Sequence, residues 1–199
     1  MPKSAFEPCI PTKAAKVPDR PEWLHEIKHD GYRLIVQRGD KCVRLFARNG
    51  QDWSDRYPRI VEAALRNRNS AFVIDGEAVL LGVEGISDFN GLHSRRHDAE
   101  VEFYAFDMLV SDGEDLRKLP LSLRKTNLAR LLARRVDAIP LSDVRAGRDR
   151  AGPVPARLPA GTGRDGLQAS RLIAAAGSDT GSRSRAGSIP AFSRVQDPF

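Results

Sequence analysis

Lysine and glutamate are absent from the last 56 of the 199 residues. Cysteine is scarce throughout: Cys9 and Cys42 are the only two, too few for a disulfide framework or a cysteine-based metal cluster, which fits a reducing compartment. No stretch approaches the roughly 20 consecutive apolar residues of a membrane helix. The first residues lack the basic, apolar, small-residue order of a secretory signal. Internal repeats are missing as well. These absences point to a cytoplasmic protein with no membrane partner.

What is present divides at about Asp143. The formal net charge is +6, but residues 1–143 hold 23 of the 32 Lys+Arg and 22 of the 26 Asp+Glu, which leaves them at +1. Residues 144–199 hold nine Arg, four Asp, eight Gly, five Pro and ten Ala, with no Trp or Tyr. The basic balance therefore resides mostly in the tail, and residues 1–143 carry no strong electrostatic footprint for nucleic acid. By composition, 144–199 is a disordered tail.

Periodicity in the first part indicates a mixed α+β domain. Trp23–His29 reads as a short strand ending in a turn at Asp30-Gly31. Tyr32–Gln37 and Cys42–Phe46 flank a hairpin turn. Asp55–Asn67 carries Tyr57, Ile60, Val61, Ala64 and Leu65 at helical spacing. Phe72–Leu81 reads as a strand broken at Asp75-Gly76-Glu77, Glu102–Val110 as a largely apolar strand, and Leu121–Arg135 as an amphipathic helix with Leu121, Leu123, Leu128, Leu131 and Leu132 as its apolar set.

The most informative string is E-I-K-H-D-G-Y-R (26–33). A lysine at a strand end, beside a turn that exposes backbone N–H groups, suits a nucleophile approaching a phosphate. It needs cationic neighbours or desolvation to give up its proton, and Arg33 could supply that field. Taken alone, K-x-D-G reads equally well as a solvated lysine before a β-turn. His29 reads as a surface residue.

Further strings follow in order: W-L-H-E-I-K-H-D-G-Y-R (23–33), R-L-F-A-R-N-G (44–50), F-V-I-D-G-E-A-V (72–79), S-D-F (87–89) and F-Y-A-F-D-M-L (103–109). Together they resemble the adenylation (nucleotidyltransferase) domain of ATP-dependent DNA ligases, most nearly the bacterial ligase D type, over roughly residues 8–143. The resemblance implies a nucleotidyltransferase fold, with two antiparallel sheets flanked by helices and incomplete at its C-terminal end. It implies that Lys28 attacks the α-phosphate of ATP, that Glu26 accepts from the adenine amino group, that Ile27 belongs to the ATP-binding set, and that Arg33 contacts the nucleotide. Arg48 would bind a phosphate, Glu77 would hold the ribose hydroxyl or a divalent metal, and Phe106 would stack on adenine. Read as bare residues, Arg48 could flank a hairpin, Glu77 could be a turn acid, and Phe106 could be core. The implied cofactors are ATP with Mg²⁺ or Mn²⁺; the implied partners are nicked or broken duplex DNA and a Ku-like end-binding protein. No His/Cys cluster suits zinc.

Two lysine motifs that the family carries downstream are missing. Codons can be chosen for Gly166–Arg171 and Thr180–Arg185 that, read in shifted frames, give V-S-K-H-R and W-I-K-V-K. Residues 144–199 are therefore expected to be either disordered or out of frame, and the printed chain to be poorly folded and weakly active or inactive. The alternatives by class are an RNA ligase or capping-type nucleotidyltransferase, against which the fuller E-I-K-x-D-G-Y-R and F-Y-A-F-D strings argue, and a non-catalytic DNA-binding remnant.

Overall fold

Five antiparallel strands form the main sheet in the order β3-β2-β4-β5-β6: β2 (Tyr32–Gly39), β3 (Cys42–Ala47), β4 (Ala71–Val79), β5 (Glu102–Ser111) and β6 (Glu114–Asp115). The computed structural model describes Phe6, residues 24–134 and residues 137–146. These fall into two units, one comprising His29–Ser142 with Phe6, the other residues 24–28 and 143–146. In the second unit, β1 (Leu24–Glu26) pairs antiparallel with β7 (Val144–Ala146). The fold is α+β with two antiparallel sheets. The segment from residue 147 onward, and Trp23, lie outside the described residues.

Two hairpins tie the main sheet together. Gly39 pairs with Cys42 across Asp40-Lys41, and Ser111 pairs with Glu114 across Asp112-Gly113. Asp40 (φ 49°), Asp112 (φ 50°) and Gly113 (φ 87°) take the left-handed conformation that such tight turns require. The Asp-Gly turn signal at 112–113 is legible in the sequence, although only the first hairpin was expected from it.

One face of this sheet is covered by α1 (Pro58–Arg66) and α3 (Leu121–Leu131). Leu34, Val36, Leu45, Ile74, Phe103 and Met108 from the strands pack against Ile60, Ala64, Leu128 and Leu132 in the main core. Pro58 opens α1, where its missing N–H costs nothing. At the other end the Arg38 guanidinium donates to the Ala64 and Asn67 carbonyls, both at 2.7 Å, and satisfies groups that the helix leaves open. Asn67 Nδ2 donates to the Leu131 carbonyl at 2.9 Å, linking the ends of α1 and α3.

Several expectations change. β4 runs unbroken through Asp75-Gly76-Glu77; the irregularity lies in β5, described below. α3 stops at Leu131, and Leu123 is half exposed rather than part of its buried face. Leu65 likewise faces outward from α1. The first strand covers only Leu24–Glu26. The short helix α2 (Phe89–Ser94) was not anticipated. It is capped by Asp88, whose side chain accepts from the Gly91 N–H at 2.9 Å.

Tyr57 sits at the centre of an aromatic group. The Arg56 guanidinium lies 4.6 Å from the Trp53 ring centroid, 4.9 Å from that of Tyr57 and 5.2 Å from that of Tyr32. The Tyr57 hydroxyl is buried and has no hydrogen-bond partner among the described residues, and burial pushes its pKa up. Replacing it with hydrogen removes an unsatisfied polar group. Tyr57→Phe is expected to leave the urea-unfolding midpoint unchanged or raised; a loss of more than about 1 kcal/mol would show that the hydroxyl is bonded in solution.

Candidate active site

The second face of the five-stranded sheet carries two clusters. Ile35, Phe46, Val73 and Leu109 form a small apolar group, with Phe6 and Val110 packed against it. Beside it, at the end where β2 begins and β4 finishes, the strands bring charged and aromatic side chains together. Arg33 lies opposite Glu77, Ile35 opposite Asp75, and Glu77 opposite Tyr104. Arg33 chelates Asp75 through Nε–Oδ1 and through a second contact of 2.5 Å to Oδ2. Asp75 is 1% exposed, so its charge is desolvated and held by this forked pair. The Arg33 guanidinium also lies 4.2 Å from the Phe106 ring centroid.

A mismatch in length places Phe106 there. β5 uses the ten residues Glu102–Ser111 to face the eight residues Phe72–Val79 of β4. Gly76 pairs with Ala105 and Asp75 with Asp107, so Phe106 is the extra residue of a β-bulge; Leu109 is the extra residue of a second. A bulge leaves backbone groups out of the ladder, and α3 supplies partners. Lys125 Nζ donates to the Phe106 carbonyl, and Arg124 holds Asp107 through Nε–Oδ1 at 2.9 Å and Nη2–Oδ2 at 3.2 Å.

Two of the three glycines in these strings, Gly31 and Gly76, have packing reasons. A Cβ on Gly31 would stand 2.1 Å from the Ala78 carbonyl oxygen, so the turn after Lys28 can approach β4 only as glycine. A Cβ on Gly76 would stand 2.4 Å from the Phe103 ring and 2.6 Å from the Tyr104 carbonyl oxygen. The S-D-F string is structural as well. The Ser87 hydroxyl accepts from the Asp30 N–H at 3.4 Å, Asp88 caps α2, and Phe89 packs on Tyr32 with ring centroids 5.4 Å apart.

The anticipated site residues thus fall in both units. In the second, Glu26 ends β1, and Ile27 and Lys28 follow it with the Lys28 side chain exposed. In the first, Arg33, Glu77 and Phe106 share one sheet face. Arg48, exposed, follows directly on Ala47, the partner of Leu34, at the same end of the sheet. The turn there is closed by Gly50 (φ 79°), whose N–H donates to the Ala47 carbonyl at 2.8 Å. Among the described residues no three His, Cys, Asp or Glu side chains converge as a metal cage. His29, read from sequence as a surface residue, lies against Tyr104 with ring centroids 4.1 Å apart and ring planes tilted by 33°. Asp75, Asp107, Arg124 and Lys125 were not anticipated. A lone acid inside the apolar run F-V-I-D is the signal that could have marked Asp75.

Residues 8–151 match the family model of an ATP dependent DNA ligase domain. The chain is 39% identical over 118 residues to the multifunctional non-homologous end joining protein LigD of Pseudomonas aeruginosa, which covers 58% of this chain and 14% of that one. It is 41% identical over 95 residues to the LigD of Mycobacterium tuberculosis, covering 48% and 12%. The chain therefore spans only about a seventh, or less, of the length of these curated relatives. The crystal structure of the ligase domain of M. tuberculosis LigD is similar with a TM-score of 0.54 at 34% identity, over 63% of this chain and 42% of that one. A mycobacterial DNA ligase D complexed with ATP and MES gives 0.53 at 33%, over 61% and 40%. Among the described residues no helix is long and apolar enough to cross a membrane.

Two outcomes are expected from this geometry. Asp75→Ala strips the Arg33 guanidinium of its forked partner and should cost about 3–5 kcal/mol in urea unfolding. The Arg33→Ala, Asp75→Ala double variant should lose clearly less than the sum of the two single losses. Gly76→Ala should cost about 1–3 kcal/mol, read by the same measurement.

Proposed function

As the chain belongs to the ATP dependent DNA ligase domain family, we propose that it is the adenylation domain of a LigD-type ligase and that Lys28 is its nucleophile. The observation that carries this reading is that one family match, residues 8–151, contains Glu26, Lys28, Arg33, Arg48, Glu77 and Phe106 together. The exposed position of Lys28 just after β1 supports it.

In the proposed step the free amine of Lys28 attacks the α-phosphorus of ATP. A P–N bond forms, the bond from the α-phosphorus to the bridging oxygen breaks, pyrophosphate leaves, and the amine proton passes to solvent. The AMP then moves to a 5′-phosphate at a DNA break, which regenerates the amine. Such transfers depend on positioning and on neutralising phosphate charge. Arg33, oriented by Asp75, and Arg48 are the cations proposed to meet phosphate or ribose oxygens. Glu26 accepts from the adenine amino group, Ile27 belongs to the ATP-binding set, Phe106 stacks on the adenine, and Glu77 either accepts from the ribose hydroxyl or helps to place the metal. Glu77 alone does not make a metal cage, so Mg²⁺ or Mn²⁺ would be held mainly by phosphate oxygens and water, with Glu77 as its one protein ligand. The end-joining names of the relatives favour double-strand ends as the DNA substrate; a Ku-like end-binding protein as partner and the cytoplasm as the place of action are part of the same proposal.

The test is transfer of α-phosphate-labelled ATP to the purified chain. Label is expected on Lys28 by peptide mapping. It should accumulate slowly, because the lysine-free last 56 residues offer no counterpart to the family's downstream lysines. Lys28→Ala should reduce labelling at least about 10³-fold. Equal labelling of Lys28→Ala, or none of the folded parent chain, would falsify the reading.

A further inference from the structure

On the helix-covered side of the main sheet a groove of about 530 Å³ opens between the end of α1, the start of β4 and the C-terminal half of α3. Its walls carry four arginines, Arg66, Arg68, Arg130 and Arg134, and no carboxylate. Asn69 and Asn127 add amide donors. Arg66 reaches Glu62 at 3.5 Å on the exposed face of α1, a weak pair. Asp112, beyond the lining, accepts from Asn69 Nδ2 at 3.2 Å and from the Ser111 hydroxyl at 3.4 Å. The guanidinium groups of Arg68, Arg130 and Arg134 make no ion pair among the described residues.

Like charges brought into one concavity raise one another's electrostatic energy, and an anion relieves it. Guanidinium forks and amide donors suit phosphate oxygens in particular. The groove is separate from the Arg33 cluster. It lies against the opposite sheet face, and Ser111 in its lining pairs with Phe72, five β4 residues from Glu77, about 16 Å at ~3.3 Å per residue. One nucleotide cannot occupy both.

We propose that this arginine groove is a second contact for the phosphodiester backbone of DNA, independent of base sequence. The proposal rests on the ligase reading only for the choice of DNA as the polyanion. Each arginine–phosphate contact releases condensed counterions, so the contribution of the groove is readable from the salt dependence of binding.

The experiment measures binding of the full chain to a nicked duplex against salt concentration, without ATP. Three proteins are compared: the parent, a groove variant (Arg68→Gln, Arg130→Gln, Arg134→Gln) and a charge-matched control (Arg59→Gln, Arg95→Gln, Arg96→Gln) whose exposed arginines lie outside the groove. The groove variant is expected to flatten the log–log slope by about 2–3, roughly 0.9 per lost contact, while the control keeps the parent slope. The corresponding lysine triple at 68, 130 and 134 should retain most of the slope and guards against a folding artefact. Equal flattening in the control, or an unchanged slope in the groove variant, overturns the proposal. Because no ATP is present, the result is independent of adenylation: a chain that never labels with AMP but shows the groove effect loses the ligase reading and keeps this one.

Discussion

Ten residues of β5 pair with eight of β4, and the two residues left over must go somewhere. Phe106 and Leu109 both bulge toward the face away from the helices. Leu109 fills the small apolar cluster with Ile35, Phe46 and Val73, and Phe106 comes to lie beneath the Arg33 guanidinium. The same irregularity releases the Phe106 carbonyl to Lys125 and turns Asp107 to Arg124, so that α3 braces the bulge from the other side. Gly76 is the matching constraint in β4. Any side chain there would meet the Phe103 ring and the Tyr104 carbonyl and force the pair apart. The candidate site is thus set up less by the residues that would touch a nucleotide than by a misfit of two strands.

The buried Arg33–Asp75 fork follows from that placement. A carboxylate at 1% exposure is costly unless paired with good geometry. Here the guanidinium supplies two parallel contacts and rests on an aromatic ring. Arg33 is thereby fixed in direction, which a phosphate-binding cation needs more than it needs proximity. Asp75 does for Arg33 what Arg124 does, with the charges reversed, for Asp107: each buried acid is met by a forked donor from another element.

Much of this could be read along the chain. The Asp40-Lys41 hairpin, the helical spacing of Ile60 and Ala64, and the ordered strings from 23 to 109 depend on residues near one another in sequence. The antiparallel α+β class and the family follow from them. The bulges could not be read, because F-Y-A-F-D-M-L-V is apolar nearly throughout and shows no alternation to break. The supposed break at Asp75-Gly76-Glu77 has the same origin: a glycine between two acids resembles a turn until the strand beside it shows why glycine is needed. Composition marked a change at residue 143. It gave no hint of β7, whose three residues are strand only because β1 is there to pair with them.

The clearest division concerns charge. Local sequence by itself determined the lysine after a strand, the turn that follows it, and the arginine two positions beyond, since five consecutive peptide units hold them together. It also determined that residues 1–143 are nearly neutral. Tertiary structure alone decided that this neutrality is uneven. Arg66 ends one helix and Arg68 follows it, Arg130 lies in the last turn of another more than sixty residues later and Arg134 follows that one, and the Asn67–Leu131 hydrogen bond joins the two ends. Net charge sums over a chain, whereas a field depends on distances that only packing supplies.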